Sequence, residues 1–323
     1  MYPLYFSPIL KTIIWGGADI CPFKSITPAE TGIGESWEIS QVKGSVSTVA
    51  NGPLAGKSLT ELIESYGTEL LGSTVMERFG AKFPLLIKFI DAQDDLSIQV
   101  HPDDTLGMAR HNSFGKTEMW YVVKAADGAK LYSGLKDELT PESYVERVAD
   151  NTITDALAQF DVEPGDSFFL PAGRIHAIGA GCFIAEIQQN SDITYRIYDY
   201  DRRDANGNGR ELHTELAKDA IDYQIYDNYK QTYDDTPNQA NELASCQYFT
   251  TNLLRLDQPI ERQYDAGKSF VIYMGLEGTA EIKLGDTTEQ LVQGRTILVP
   301  AAIADHAVIT PANGCKLLEC YIK

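Results

Sequence analysis

Three segments of the chain carry side chains that could bind a metal or move a proton. In DLSIQVHPDD, Ser97, Gln99 and His101 are spaced two apart, and an extended strand turns such residues to one face. A hydroxyl, an amide and an imidazole on a buried face would each cost about 1–3 kcal/mol if left unpaired, so this strand needs a partner such as a metal or a ligand. Glu118 opens the apolar run EMWYVVK, and His176 follows the glycine and proline turn of FLPAGRIHAIG. Two imidazoles, a carboxylate and an amide oxygen suit a borderline cation such as zinc, with one position open for substrate or water. The same histidines could be ordinary core or loop residues bonded to backbone carbonyls, and spacing alone does not choose. Two further charges stand inside apolar runs, Lys88 in PLLIKFIDA and Glu186 in CFIAEIQQ. A lysine there is either paired or functional. A desolvated carboxylate there is expected to have a raised pKa and could serve as a general base, or it could be the buried partner of Lys116 or Arg196.

Bringing positions 99–101, 118 and 176 together requires strands whose ends converge. From Phe83 onward, short β-rich runs recur with turn signals between them, including FPLLIKFIDA, EMWYVVKAA, AKLYSGL, DSFFLPAG and CFIAEIQQ. This pattern predicts an antiparallel sandwich or barrel. Two helices are expected outside it, over Ser58 to Phe79 and Pro141 to Phe160, opened by the capping residues Ser58 and Thr140. Residues 201–244 turn polar and acidic and read as a connector with a short helix starting near Thr214. The expected division is therefore 1–200, a metal-binding domain with helical insertions; 201–244, the connector; and 245–323, a second β domain without a metal site. Gly165 to Pro171 (GDSFFLP) and Gly294 to Pro300 (GRTILVP) share a spacing that hints at duplication. His176 follows its proline by five residues and His306 by six, so the second copy is expected to keep the shape and lose the chemistry.

The bulk properties exclude several classes. With 323 residues and 43% hydrophobic content, the chain can build a sizeable core. A net charge of -19 would repel nucleic-acid backbones and anionic lipid surfaces. No leader-like or bilayer-spanning apolar run is present, and five cysteines without CxxC spacing fit free thiols, so a cytoplasmic setting is expected. Several candidates have ordinary readings. His111, His213 and His306 lack a partner at ligand spacing, Arg174 reads as an exposed loop residue that could alternatively help bind an anion, and the tyrosines from Tyr195 to Tyr233 suit packing of the connector. The NGNG stretch at Asn206 to Gly209 lacks the strand and helix context of a nucleotide loop and reads as a turn.

The segment GDSFFLPAGRIHAIGA resembles the second cupin motif, with Gly165, Pro171, Gly173 and His176 in place and Ala180 where the motif ends in Asn. LSIQVHPDD and GKTEMWYV, with WGG at Trp15 to Gly17 and ESWEIS around Trp37, resemble type I mannose-6-phosphate isomerases in their short bacterial form. Clear motifs run from the start to about Arg203. The resemblance implies a mainly β fold of two cupin-type jelly-roll barrels with a few peripheral helices. It also implies one Zn2+ per chain held by Gln99, His101, Glu118 and His176. By the same resemblance Arg196 is a catalytic arginine at the mouth of the site, Lys116 lies beside the metal, and Lys88 and Ser97 lie near the phosphate of a hexose phosphate substrate. The expected assembly is a monomer or homodimer. Two other readings compete: an Fe(II) cupin dioxygenase, against which the fourth ligand Gln99 counts, and a non-enzymatic sugar-binding cupin.

Overall fold

A computed structural model describes residues 1–203 and 207–323; Asn206 of the NGNG turn, and residues 204–206 of the expected connector, lie outside the described residues. The chain is mainly β, and among the described residues every strand pairing is antiparallel. The first barrel is built from two sheets. One has the order Ile9–Gly17, Ile33–Ile39, Leu85–Ala92, Cys182–Gln189, Glu118–Ala125 and Ser167–Leu170; the other runs Tyr195–Tyr198, Ile98–Val100, His176–Ile178, Lys130–Leu135 and Leu157–Asp161. The strands Ile9–Gly17 and Ile33–Ile39 precede the first β segment expected from the sequence. Their residues alternate irregularly around bulges, which hides a period-two pattern.

Burial on both sides explains why several strands read as continuous apolar runs. In Cys182–Gln189 all residues are buried. Phe183, Ala185 and Ile187 pack outward with Leu253, Ile272, Met274 and Leu318 of the second barrel, while Ile184 faces the first barrel's interior with Trp120 and Phe168. Glu186 and Gln188 share the inward face of Ile184. In the other sheet, Ile98, Val100 and Ala177 face outward beneath the helices Pro141–Ala149 and Thr214–Ala220. Ser97, Gln99 and His101 consequently turn inward, on one face as the spacing indicates.

The helical segment after Ser58 forms as Leu59–Leu71 and Ser73–Phe79, with a Ser58–Glu61 capping box and Gly72 at the break. The segment expected over Pro141 to Phe160 is shorter. It ends at Ala149, passes through a 3₁₀ turn at Ile153–Ala156, and becomes the edge strand Leu157–Asp161. Its LAQFD residues pair with Lys130–Leu135, so sheet pairing outweighs the weak helical pattern there.

The second barrel has the sheet order Ala240–Ser245, Thr250–Leu256, His306–Tyr321, Val271–Leu284 and Thr287–Val292. Ile260–Gln263 adds to the long strand His306–Tyr321, and Thr296–Val299 adds to Val271–Leu284. Strand Ala240–Ser245 begins inside the segment expected to be connector. Among the described residues, no helix is long and apolar enough to cross a membrane. All five cysteines are free, with Cys182 and Cys320 in the core.

Candidate metal centre and active-site cavity

His101, Glu118 and His176 are brought together inside the first barrel, with ligand-type atoms all within 4.8 Å of one another. Each comes from a different strand or strand end. His176 pairs in register with Gln99, and Glu118 pairs with Leu170 on one side and Gln188 on the other. Glu118 Oε1 lies 3.3 Å from His176 Nε2, and its Oε2 lies 3.6 Å from His101 Nε2.

The tautomers are fixed from outside the cluster. His101 Nδ1–H donates to the Ile193 carbonyl and His176 Nδ1–H to the Arg174 carbonyl, both at 2.8 Å. Both Nε2 lone pairs then face the centre, the arrangement of metal-ligating imidazoles. Burial, reinforced by Lys116, pushes the pKa of His176 down to about 3 and that of His101 well below its ordinary value. Both rings are therefore neutral at pH 7. Glu118 is pushed up to about 7, first by burial and then by the negative charge of Glu186.

These groups fit a divalent cation. Both Glu118 oxygens are buried without a directional hydrogen bond, and Gln188 Oε1 across the sheet is likewise unsatisfied. Lys116 Nζ compensates in part, 2.9 Å from Glu118 Oε2 and 3.0 Å from His101 Nε2. An orphaned buried carboxylate costs several kcal/mol, and a cation facing two neutral imidazoles removes that cost. The Gln99 amide nitrogen is 3.3 Å from His176 Nε2; a flip of the amide presents its oxygen instead.

Beside the cluster lies a cavity of about 190 Å³. Ser97, Gln99, Lys88, Lys116, Glu186 and Arg196, all singled out in the sequence, line it. A larger, more open groove of about 440 Å³ between the barrels, lined in part by Tyr121, Tyr233 and Lys316, holds none of this chemistry.

Glu186 departs from expectation. Its partner is Lys88, at 2.8 Å, rather than Lys116 or Arg196, and Trp120 Nε1 donates to it at 2.7 Å. Lys88 and Lys116 overcome the effect of burial and hold this carboxyl well below the usual range instead of above it. Lys88 is thus paired, with Glu35 a further 3.8 Å away. Arg196 donates to the Glu211 carbonyl at 3.0 Å, and its backbone N–H donates to His213 Nδ1.

Arg174 is neither an exposed loop residue nor part of the cavity wall. It is buried, and its guanidinium stacks 4.7 and 4.6 Å from the ring centres of Tyr226 and Tyr229. Tyr229 and Tyr233 bind the connector to the first barrel through the carbonyls of Leu135 and Gly165. His111 bonds to the Tyr195 hydroxyl. Residues not singled out for chemistry also line the cavity, among them Glu35, Asp192, Thr194 and Arg210. Arg210 lies in the polar stretch after residue 200, where no strand or helix period marks a site-facing residue. The tryptophans of the WGG and ESWEIS motifs, Trp15 and Trp37, line it too.

The second barrel shows how the same plan runs without these ligands. Taking Pro171 and Pro300 as equivalent, Glu118 opposite Leu170 corresponds to Val271 opposite Val299. Glu186 opposite Trp120 corresponds to Glu319 opposite Tyr273. The extra residue before His306 turns that histidine outward toward Glu261 and Ala307 inward. Arg262 and Asn252 bond to the fully buried Glu319, and Tyr264, bonded to both Glu319 and Tyr273, closes the network.

The family model for phosphomannose isomerase type I, catalytic domain, matches residues 4–124. A putative mannose-6-phosphate isomerase of Bacillus subtilis, YvyI, is 35% identical over 324 residues, spanning 99% of each chain. Mannose-6-phosphate isomerase ManA of the same organism is 34% identical over 310 residues, 94% of each. The crystal structure of a mannose 6-phosphate isomerase from Bacillus subtilis superposes with a TM-score of 0.88 at 32% identity, covering 100% of both chains. Identity at this level along the whole length, on a fold that delivers the same motifs to one cavity, places the chain in the type I mannose-6-phosphate isomerase family.

Proposed function

We propose that this protein interconverts mannose 6-phosphate and fructose 6-phosphate as a zinc-dependent enzyme, by proton transfer through an enediolate. The observation that carries the reading is the buried His101–Glu118–His176 cluster opening beside a cavity lined by Lys116, Glu186 and Arg196. His101, Glu118 and His176, with Gln99 as the fourth ligand, would hold one zinc, which supplies polarisation of a substrate oxygen.

The reaction moves a proton between carbons 1 and 2 while negative charge grows on the adjacent oxygen. Arg196 and Lys116 place two cations on the wall where that charge develops. Glu186 is the carboxylate we assign to the proton transfer; Lys88 and Trp120 keep it ionised, the form that accepts a proton. Ser97 and Lys88 would donate to the substrate phosphate, although the Lys88 charge is already balanced by Glu186. Family membership sets aside the dioxygenase and non-enzymatic alternatives.

The test is a coupled assay for fructose 6-phosphate formed from mannose 6-phosphate, before and after chelation and with zinc restored. Activity lost on chelation and regained with zinc supports the reading. A fully metallated protein that forms no product rejects it.

A further inference from the structure

The cations on the cavity wall are not equivalent. Lys88 is matched by Glu186 and Lys116 by Glu118. Next to Arg210, which lines the cavity, the buried carboxylate of Asp199 serves both Arg202 and Arg210, and it also acts on Arg196, whose strongest charged neighbour is Arg210 itself. Arg196 gives one hydrogen bond to a backbone carbonyl and keeps a buried Nε without an acceptor. Three guanidiniums, Arg196, Arg202 and Arg210, thus share the buried Asp199, with Asp192 on the cavity wall and Glu211 beside Arg196 as further carboxylates.

Arg210 lies in the polar stretch after residue 200 yet reaches the cavity. Its Nε donates to Asp199 Oδ2 at 2.7 Å and its Nη2 to Oδ1. A guanidinium has five N–H donors. The side-on pair with Asp199 uses two, fixes the plane of the fork and leaves the Nη1 end without an acceptor among the described residues, open to engage an anion.

We propose that Arg210 is a specificity-determining residue that receives the phosphate of a sugar phosphate, with Asp199 and Arg202 as its positioning residues. The inference rests on the hexose phosphate reading of this cavity. A planar fork of donors binds a phosphate in bidentate fashion, and a lysine supplies only a point charge. Asp199 holds the fork in place before the ligand arrives, so little side-chain entropy is lost on binding.

The experiment compares wild type, Arg210→Met and Arg210→Lys, each loaded with zinc, in two ways. Steady-state kinetics with mannose 6-phosphate should show KM rising about 10- to 100-fold in Arg210→Met, the loss falling on KM rather than kcat. Calorimetric titration with inorganic phosphate should show a parallel loss of affinity, with Arg210→Lys between the two. A folded Arg210→Met protein that keeps both KM and phosphate affinity overturns the proposal, as does a loss confined to kcat. If Arg210→Met does not fold, Arg210→Gln takes its place, and unchanged phosphate affinity there overturns the proposal equally. The titration does not depend on turnover. A wild type that binds phosphate through Arg210 without forming fructose 6-phosphate would therefore refute the isomerase reading and leave the Arg210 assignment standing.

Discussion

Replacing Lys88 by Met takes the cation from a carboxylate that is 2% exposed, on the wall of the cavity. Glu186 keeps its bond from Trp120 but loses the 2.8 Å ion pair. The depression of its pKa from 4.5 to about 2 corresponds to about 3 kcal/mol, at roughly 1.4 kcal/mol per unit. That agrees with the ~3–5 kcal/mol typical of removing one partner from a buried pair. The pH dependence fixes the cause. In the wild type the folded pKa lies below the unfolded value, so the Glu186 contribution is present above pH 4.5 and fades as pH falls toward 2. Without Lys88, burial is opposed only by Lys116 and the Trp120 bond, and the folded pKa is expected to rise above 4.5. The variant's penalty is then full at neutral pH and shrinks as pH falls toward 4.5. The stability gap between the two proteins should therefore narrow between pH 7 and 4.5. Urea denaturation of both proteins in metal-free form measures it, and Lys88→Met/Glu186→Leu should recover most of the loss because no buried charge is stranded. A single-variant cost below about 1 kcal/mol, or a gap that widens on acidification, would refute this account of the pair.

Glu118→Gln should lower zinc affinity by more than about 100-fold, since even changes to groups that orient ligands cost ~10–100-fold; elemental analysis after dialysis reads it directly. Arg262→Met in the second barrel strands Glu319 and should cost about 2–3 kcal/mol, while zinc content and KM stay at wild-type values. A change in either would mean that the two barrels are coupled. Gly16→Ala places a Cβ 2.4 Å from the Gly32 carbonyl oxygen and the Gly34 nitrogen; the backbone must shift at a cost of about 1–3 kcal/mol, seen as a lower Tm together with altered Trp15 fluorescence.

Much of the site was legible because strand periodicity is local. Ser97, Gln99 and His101 share a face for the same reason that Ile98 and Val100 share the other, and a polar set on one face of a buried strand implies a partner. The Gly165–Pro171 spacing pointed to His176, and the one-residue offset at His306 accompanies that histidine's position beside Glu261 in the second barrel. Where tertiary pairing competes with weak local signals, the sequence was less informative. The LAQFD segment continues a helical pattern but is claimed by a neighbouring strand, and the two N-terminal strands are bulged.

What the sequence determined by itself was a mainly β chain and a set of candidate residues able to bind a metal, since strand patterns and motifs lie within one segment at a time, and the resemblance of those motifs to a known family then named the ligand set. Only the tertiary structure decided which charges meet. Lys88 pairs with Glu186 because two strands distant in sequence lie side by side, and that contact reverses the pKa shift that burial alone would give. The Arg196–Asp199–Arg210 arrangement likewise depends on a polar segment folding back over the barrel. Coulomb interactions act through space over a few ångströms, and sequence spacing does not encode those distances.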